Sequence, residues 1–369
     1  MASSRAIRVA LVCARYLPFV GGIELHVHEV SKRLAAAGSE VTILTTDPGA
    51  QLPREELAEG VRVRRVPAWP ANRDYYVAPG LGRELRAGGF DLVHIQGYQT
   101  FVAPLALRAT RRLGVPTVLT FHGGGHSSRL RQAIRPLQLQ ALRPLAQHVH
   151  TFVALADFEI GRYAPRLHVD RDRFVVIPNG SDLPRAAAAG VVRDRALIAS
   201  LGRLEQYKGH HRVIAALPHV LARRPDVRLW IGGVGPEEDA LRALAAELGV
   251  ASRVEIRGVP PQERERMARE LARVDTVVSL SDFETQPIAA LEALSLGCKV
   301  LVAQAPGLDA LAASGLASSV ALDAAPPVVG AAILHALEAP PASEPPLLPS
   351  WDDCAASLLR LYRGIVAES

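Results

Sequence analysis

Two glutamates, Glu284 and Glu292, carry the clearest chemical signal in the chain. The run 276–280 is short, apolar and β-branched, which predicts a buried parallel strand. The apolar spacing over 288–294 predicts a helix that Gly297 ends. Glu284 then lies in the loop at the carboxyl end of the strand, where doubly wound sheets bind ligands. Two carboxylates there would accept hydrogen bonds from ribose and sugar hydroxyls, and two solvated glutamates are the alternative.

A pair of cations suggests that the same edge binds an anion. Arg203 and Lys208 bracket a second strand-to-helix turn. A guanidinium fork, a point charge and the N–H groups of a helix start would together bind a diphosphate. Gly21 and Gly22 precede an early helix and permit a close backbone approach to an anion. They do not form a GxGxxG motif, so a dehydrogenase-type dinucleotide site is not supported.

The remaining candidates are weaker. His122 ends another strand beside a glycine-rich loop, where a structural and a functional histidine are both reasonable interpretations. The sequence 170–172 is a formal DxD, but it lies among charged loop residues and is interpreted as a solvated turn, so no metal site is expected. Cys13, Cys298 and Cys354 are scattered without metal or disulfide spacing, and the first two lie in apolar strands as buried thiols.

Composition limits the class of protein. A chain of 369 residues predicts two domains, and 49% hydrophobic with 21% charged residues is typical of a folded soluble protein. No apolar run approaches ~20 residues, and the start leads directly into a strand, so a cytoplasmic protein is expected. The net charge of +5 favours anionic partners. Aromatic residues make up only 5%, which argues against nucleic acid as a partner.

Strands and helices alternate through both halves of the chain, which predicts an α/β fold of two Rossmann-like, doubly wound parallel-sheet domains. The first domain is expected over 1–185 and the second over 186–350, with 183–194 as a linker. A final helix over 351–369 follows a proline-rich tether and is expected to cross back to the first domain. The predicted strands are 7–13, 40–46, 61–66, 91–96, 116–122, 151–154, 173–177, 196–201, 227–231, 254–257, 276–280, 299–303 and 319–322.

A basic, leucine-bearing stretch runs from 129 to 147. Pro136 and Pro144 are expected to kink or break it. Its arginines, which include Arg129 and Arg131, could contact an anionic membrane surface or an anionic acceptor. An ordinary solvated helix is the alternative interpretation.

Taken in order, these segments resemble a family 4 retaining glycosyltransferase with the GT-B fold, in which two Rossmann-like domains face each other across a cleft. The resemblance covers nearly the whole chain, and its strength lies in the order of the motifs. These are the segments 21–24, 121–123, 177–180, 202–203 with 208–209, the Glu284/Glu292 pair and the closing Trp351 helix.

The resemblance implies a role for each matching residue. Glu292 would hold the ribose hydroxyls, Glu284 would contact the donor sugar, and Arg203 and Lys208 would neutralise the leaving diphosphate. His122 would line the sugar site. The other implied donor contacts are the Gly22 backbone with Gly21 at the phosphate, Gly258 and Val259 near the base, and Thr285, Gln286, Pro287 and Ile288 beside the first glutamate.

The implied reaction moves a glucosyl, N-acetylglucosaminyl or mannosyl unit from a nucleotide sugar, with UDP favoured, to a glycan, glycolipid or secondary-metabolite hydroxyl. No cofactor and no metal are expected, because Arg and Lys can stabilise the leaving group. Peripheral contact with the inner membrane face stays open. So do a GT-B sugar-nucleotide epimerase, a phosphorylase and a non-catalytic sugar-binding protein. Gln286 and Pro287 stand where the family usually has an aromatic residue and a glycine, and proline offers no N–H to the sugar.

Overall fold

The computed structural model describes residues 5–19, 21–71, 77–123, 129–260, 262–340 and 345–368, and for 129–133 it covers the backbone. The chain forms two compact α/β units. The first comprises residues 1–123, 130–180 and 350–369, and the second is built on 181–349. Both have a parallel sheet with helices in the connections between strands, as the alternating sequence pattern predicts.

The first unit contains an eight-stranded sheet in the order β3-β4-β2-β1-β5-β6-β7-β8. Its neighbours pair in parallel, except that β3 is antiparallel to β4. The chain moves outward from β1 on one side and from β5 on the other, so the topological switch point lies between them. The strands are β1 Arg8–Cys13, β2 Glu40–Pro48, β3 Glu55–Ala58, β4 Val61–Ala68, β5 Leu92–Gln96, β6 Thr117–Thr120, β7 Thr151–Ala154 and β8 Phe174–Val176.

Helices α1 to α5 connect these strands and bury one apolar side each where the side chains are described. In α1, for example, Val27, Val30 and Leu34 are fully buried, which is the spacing of a single helix face. The helices are α1 Gly22–Ala36, α2 Leu81–Gly88, α3 Val102–Leu113, α4 Arg129–Ala146 and α5 Asp157–Leu167.

The second unit has a six-stranded, all-parallel sheet in the order β11-β10-β9-β12-β13-β14. Here the switch point lies between β9 and β12, because the chain proceeds from β9 to one side and from β12 to the other. The elements are β9 Asp194–Leu201, β10 Arg228–Gly232, β11 Val254–Ile256, β12 Val274–Ser279, β13 Lys299–Gln304, β14 Ser318–Ala321, α6 Arg185–Ala188, α7 His210–Leu221, α8 Glu238–Glu247, α9 Arg264–Arg273, α10 Ile288–Ser295, α11 Asp309–Ala313 and α12 Pro326–Glu338.

The final helix, α13 (Trp351–Glu368), belongs to the first unit, as the sequence predicted. The Tyr362 hydroxyl lies 2.5 Å from Nδ1 of His94 on β5. Arg33 of α1 donates to Asp352 at 2.5 Å. The buried stripe of α13 includes Trp351, Leu358 and Tyr362, so this helix attaches to the first unit through an apolar face.

Three local features differ in detail from the sequence predictions. The sequence predicted no strand at β3, because Glu-Glu-Leu-Ala has little β propensity and pairs only as an edge strand. The sequence predicted that Pro136 and Pro144 would kink or break α4, but the helix runs continuously through both prolines. It buries Leu139 and Leu142. The expected linker is partly structured, since it contains α6 and Leu183 lies in the core of the second unit.

Candidate active site

The second unit brings Lys208 and Glu284 into direct contact. Lys208 follows β9 and Glu284 follows β12, so they lie on either side of the switch point. Lys208 Nζ donates to Glu284 Oε1 at 2.6 Å, and Ser281 Oγ donates to the same oxygen at 2.8 Å. The side chains are 16% and 14% exposed. This is the edge of a doubly wound sheet at which ligands bind.

Two glycines allow the loops of this site to approach one another. Gly209, with φ +73°, packs so closely that a Cβ would lie 2.0 Å from the Leu280 carbonyl oxygen. A Cβ on Gly307 would lie 1.7 Å from the Glu284 carbonyl oxygen. The Glu284 N–H also donates to the Pro306 carbonyl at 3.0 Å. The loops after β9, β12 and β13 are therefore packed backbone against backbone, which fixes the position of Glu284.

Arg203 lies in the same loop as Lys208 and is held by two further residues. Its Nη2 contacts Glu205 Oε1 at 2.8 Å, and Glu205 is only 5% exposed. The ring of His210 contacts Ser200 Oγ at 2.8 Å through Nδ1 and donates to the Arg203 carbonyl at 3.2 Å through Nε2. Burial lowers the pKa of His210 to about 4, so the ring is neutral at pH 7 and can bridge both groups.

The charge balance of this loop favours a cationic lysine. Burial acts to lower the pKa of Lys208, but the Glu284 carboxylate outweighs that effect and the pKa is raised. Arg203 and Lys208 each contact a carboxylate, from Glu205 and Glu284 respectively. An incoming diphosphate would therefore meet fixed cations whose existing partners hold them in place.

Glu292 lies in α10 and is also paired. Its Oε1 accepts a hydrogen bond from Arg264 Nη2 at 2.5 Å, and the side chains are 6% and 15% exposed. Arg264 is the first residue of α9. A buried carboxylate that accepts from an arginine still has lone pairs for hydroxyl donors. The geometry is thus compatible with the ribose contact predicted for Glu292, which stays a prediction.

The segment predicted to lie near the base follows β11. Val259 is 9% exposed, and a Cβ on Gly258 would lie 2.9 Å from Val234 Cγ1. Just before it, Arg257 lies over the Trp230 ring at 4.8 Å and donates to Glu270 at 2.8 Å. These contacts make a rigid wall at the carboxyl edge, and the assignment of the base to it stays a prediction.

The loop from Thr285 to Ile288 leads into α10. Thr285 is 7% exposed, and Pro287 is the residue at the N-cap rather than within the first turn. The Ile288 N–H donates to the Gln286 carbonyl at 2.9 Å. That donor is therefore already used within the loop, and Pro287 has none to offer.

The two glycines predicted to approach a phosphate, Gly21 and Gly22, belong to the first unit. Gly21 is the N-cap of α1 and Gly22 its first residue. A Cβ on Gly22 would meet nothing within 4 Å, whereas one on Gly21 would lie 2.3 Å from a Glu24 carboxylate oxygen. Glu24 is in the first turn, and its other oxygen lies 3.4 Å from Arg15 Nε. A carboxylate thus already interacts with this positive helix end.

His122 lies two residues after the end of β6, and Phe121 stands between them. It has φ +45°, which is unusual for a residue with a side chain and occurs at functional sites. Gln99 stabilises this conformation by donating to the carbonyls of Phe121 at 3.1 Å and His122 at 2.9 Å. His122 Nε2 lies 2.6 Å from Gln96 Oε1 and donates to it. The preceding Phe121 stacks on Tyr163 with ring centroids 4.0 Å apart.

In the described part of the first unit, His122 shares with His26 and His94 a buried, neutral ring. Burial lowers the pKa of His26 to about 4 and holds the pKa values of His94 and His122 well below the usual range. The rings of His26 and His122 are 4.8 Å apart, and His26 Nδ1 lies 2.6 Å from Asn179 Oδ1. His122 therefore carries no charge at pH 7: it donates through Nε2 and can accept a hydrogen bond through Nδ1.

The other sequence candidates have less specific settings. Residues 170–172 are exposed, in agreement with a solvated turn. Leu139, Leu142 and Ala146 bury one side of α4 in the core of the first unit, so that side does not face a membrane. The side chains of Arg129 and Arg131 and the loop 124–128 lie outside the described residues.

The described part of the chain contains neither a metal-binding cluster nor a membrane-spanning helix. No cluster of three or more histidine, cysteine, aspartate or glutamate side chains could hold a metal ion there. No described helix is both long and apolar enough to cross a bilayer.

The sequence predicted that Arg203, Lys208 and Glu284 lie in loops at one edge of the sheet. It did not identify the residues that position them. These are Glu205, Ser281, His210 and Arg264 in the second unit and Gln96 and Gln99 in the first. Most are polar residues within a few positions of a strand end, which is the signal that could have identified them. Arg264 had no such signal, because it meets Glu292 only through the tertiary fold.

Comparison with known proteins agrees with this organisation. Residues 20–185 match the family described as Glycosyltransferase Family 4, and residues 186–328 match Glycosyl transferases group 1. The chain is 31% identical to a D-inositol 3-phosphate glycosyltransferase from Nocardiopsis dassonvillei, over 94% of this chain and 90% of the relative.

Two further proteins show the range of the similarity. A GDP-mannose:cellobiosyl-diphosphopolyprenol alpha-mannosyltransferase from Xanthomonas oryzae pv. oryzae is 29% identical, over 89% of this chain and 88% of the relative. The structure of Anabaena HepE in complex with UDP and glucose superposes with a TM-score of 0.71 at 18% identity, covering 98% of both chains. At that identity the superposition establishes the fold alone.

Proposed function

The chain belongs to the family 4 glycosyltransferases and has their GT-B fold, and we propose that it is a retaining, metal-independent hexosyltransferase. The donor would be a nucleoside diphosphate sugar of glucosyl, N-acetylglucosaminyl or mannosyl type. The observation that carries the proposal is the contact of Lys208 with Glu284 across the switch point of the second unit.

The cations are proposed to stabilise the leaving group. Breaking the anomeric bond leaves negative charge on the nucleoside diphosphate and positive character on the sugar. Arg203 and Lys208 are held by carboxylates before any ligand binds, so their charges need little reorganisation during the reaction. This arrangement supports a reaction without a metal ion, in which fixed side-chain charges do the neutralising.

Glu284 is proposed to contact the donor sugar while Lys208 and Ser281 hold its carboxylate. A carboxylate with one oxygen fixed can accept from sugar hydroxyls in a defined geometry. His122 is proposed to line the sugar site of the first unit as a neutral hydrogen-bonding group, held by Gln96 and Gln99. Retention follows if the acceptor hydroxyl attacks the face that the diphosphate leaves and gives its proton to that diphosphate.

UDP is the proposed nucleotide, and GDP is the competitor to test first. Anabaena HepE, a protein of similar fold, was crystallised with UDP and glucose, whereas the Xanthomonas relative is named for GDP-mannose. The acceptor is proposed to be the hydroxyl of a polar molecule, such as a polyol phosphate, a glycan or a lipid-linked sugar. The names of the relatives support this range, which also includes a small secondary metabolite.

A donor panel tests the proposal. Wild-type enzyme is incubated with UDP-, GDP- and ADP-linked glucose, mannose and N-acetylglucosamine, with and without a mixture of polyol phosphate and glycan acceptors. Release of nucleoside diphosphate with an axial product linkage, unaffected by EDTA, is expected. An equatorial linkage would refute retention, and loss of activity in EDTA would refute metal independence. Epimerised donor in the absence of acceptor would indicate the epimerase alternative.

A further inference from the structure

The pair formed by Arg264 and Glu292 is a feature of the second unit's carboxyl edge that the proposed roles do not explain. Arg264 begins α9, which follows β11, whereas Glu292 lies in α10, which follows β12. In the sheet, β11 and β12 are separated by β10 and β9. Even so, Nη2 of the arginine donates to Oε1 of the glutamate at 2.5 Å. The contact therefore joins two elements at the carboxyl edge whose strands are not neighbours.

Burial distinguishes this pair from the ordinary ion pairs of the same helix. The Arg264 and Glu292 side chains are 15% and 6% exposed. In contrast, Arg266 and Glu263 form a surface pair with 44% and 45% exposure. Desolvation of a buried pair offsets much of the attraction between the charges, so such a pair is a poor way to gain stability. Its value lies instead in fixing the position of a carboxylate.

We infer that Arg264 is a positioning residue that orients Glu292 toward the vicinal hydroxyls of a ribose and thereby selects ribonucleotide over deoxyribonucleotide donors. This inference rests on the proposed function, in which Glu292 is the ribose contact. An arginine is suited to the task because it stays protonated and presents its donors in a rigid plane. The carboxylate that accepts from it keeps lone pairs for hydroxyl donors.

The expected selectivity follows from hydrogen bonding. A site that hydrogen-bonds a hydroxyl rejects an analogue without it, because its own polar groups then lack partners. Donors built on UDP, GDP or ADP would be accepted, and those built on dTDP would be poor. Without Arg264, the carboxylate would lose its fixed orientation, and the preference for ribose would weaken while the diphosphate contacts remained.

Calorimetric titration of UDP and 2′,3′-dideoxy-UDP into variants tests this inference. Wild type is expected to bind UDP about tenfold or more tightly than the dideoxy nucleotide, because charged hydrogen bonds are lost. Arg264→Ala should lower the affinity for UDP about tenfold but the affinity for dideoxy-UDP by less than about twofold. The discrimination between the two nucleotides would then be lost. Arg264→Lys, which keeps the charge without the planar fork, should be intermediate. With a UDP-sugar donor, KM should rise and kcat should change little.

Arg266→Ala is the matched control, because this arginine lies on the same helix but is exposed. It should leave both affinities unchanged. If Arg264→Ala lowers the affinity for both nucleotides equally, or lowers neither affinity, the inference would be overturned. If circular dichroism shows that Arg264→Ala does not fold, Arg264→Lys is used for the test instead. Unchanged discrimination between the two nucleotides in Arg264→Lys would overturn the inference. Wild type that binds neither nucleotide would instead overturn the proposed function, and wild type that binds both equally would refute the ribose role of Glu292.

Discussion

Replacement of Lys208 by alanine is the sharpest test of the proposed diphosphate site. The substitution removes a cation that lies 2.6 Å from Glu284 and is 16% exposed. At an effective dielectric constant of about 20, two unit charges at this separation interact by about 6 kcal/mol, before desolvation is subtracted. Loss of such a contact to a bound anion costs about 2–4 kcal/mol, because the remaining carboxylate is left without its partner. That free energy corresponds to a dissociation constant raised about 30- to 700-fold.

The assay is calorimetric titration of UDP and GDP into each variant. Lys299→Ala is the matched control, because Lys299 also forms a buried ion pair, with Asp275 at 2.7 Å. Lys299 begins β13, at the opposite edge of the sheet from Lys208. The control should lose stability but keep nucleotide affinity. The double variant Lys208→Ala with Glu284→Gln should recover part of the affinity, because the unpaired carboxylate no longer repels the diphosphate. Affinity within threefold of wild type in Lys208→Ala would refute the reasoning.

Three further predictions concern other parts of the molecule. Glu292→Ala should lower the affinity for UDP about tenfold more than the affinity for pyrophosphate. Equal losses of affinity, measured by calorimetry, would contradict a ribose contact. Gly209→Ala should lower the unfolding free energy by about 2 kcal/mol or more in urea titrations, because φ is +73° and a Cβ would strike a backbone oxygen. Unfolding free energy should also fall as the pH drops from 6.5 to about 4, by about 1.4 kcal/mol per pH unit from His26 alone. His94 should add to this loss.

The sign of the acid effect follows from proton binding. Below pH 6.5 the unfolded chain protonates its histidines, whereas folded His26 stays neutral down to about pH 4. The unfolded state therefore binds more protons in this range, and stability is complete above it. Equal unfolding free energies at pH 7.5 and pH 5 would show that the buried histidines do not control stability.

The parallel sheets could be predicted because each of their buried strands has a recognisable local sequence pattern. β-branched apolar runs mark buried strands, and Thr151–Ala154 has the bounds that its sequence indicated. The edge strand Glu55–Ala58 could not be found this way, because its pairing with β4 gives it a structure that its composition does not favour. Similarly, α4 contains Pro136 but stays a helix, since burial of its other side compensates for one missing hydrogen bond.

The site was predictable only as far as strand ends indicate function. Lys208 and Glu284 follow neighbouring strands of the sheet, so their proximity follows from topology. The contact of Arg264 with Glu292 depends on how α9 lies relative to α10, which no local pattern specifies. The positive φ of His122 likewise results from hydrogen bonds donated by Gln99, a residue with no motif of its own.

Hydrogen–deuterium exchange with and without UDP-glucose or GDP-mannose tests the central claim most directly. A nucleotide sugar is expected to slow exchange in the peptides covering 202–209 and 280–292 of the second unit, and Lys208→Ala is expected to abolish this protection. Protection confined to other peptides, or none with any nucleotide sugar, would contradict it.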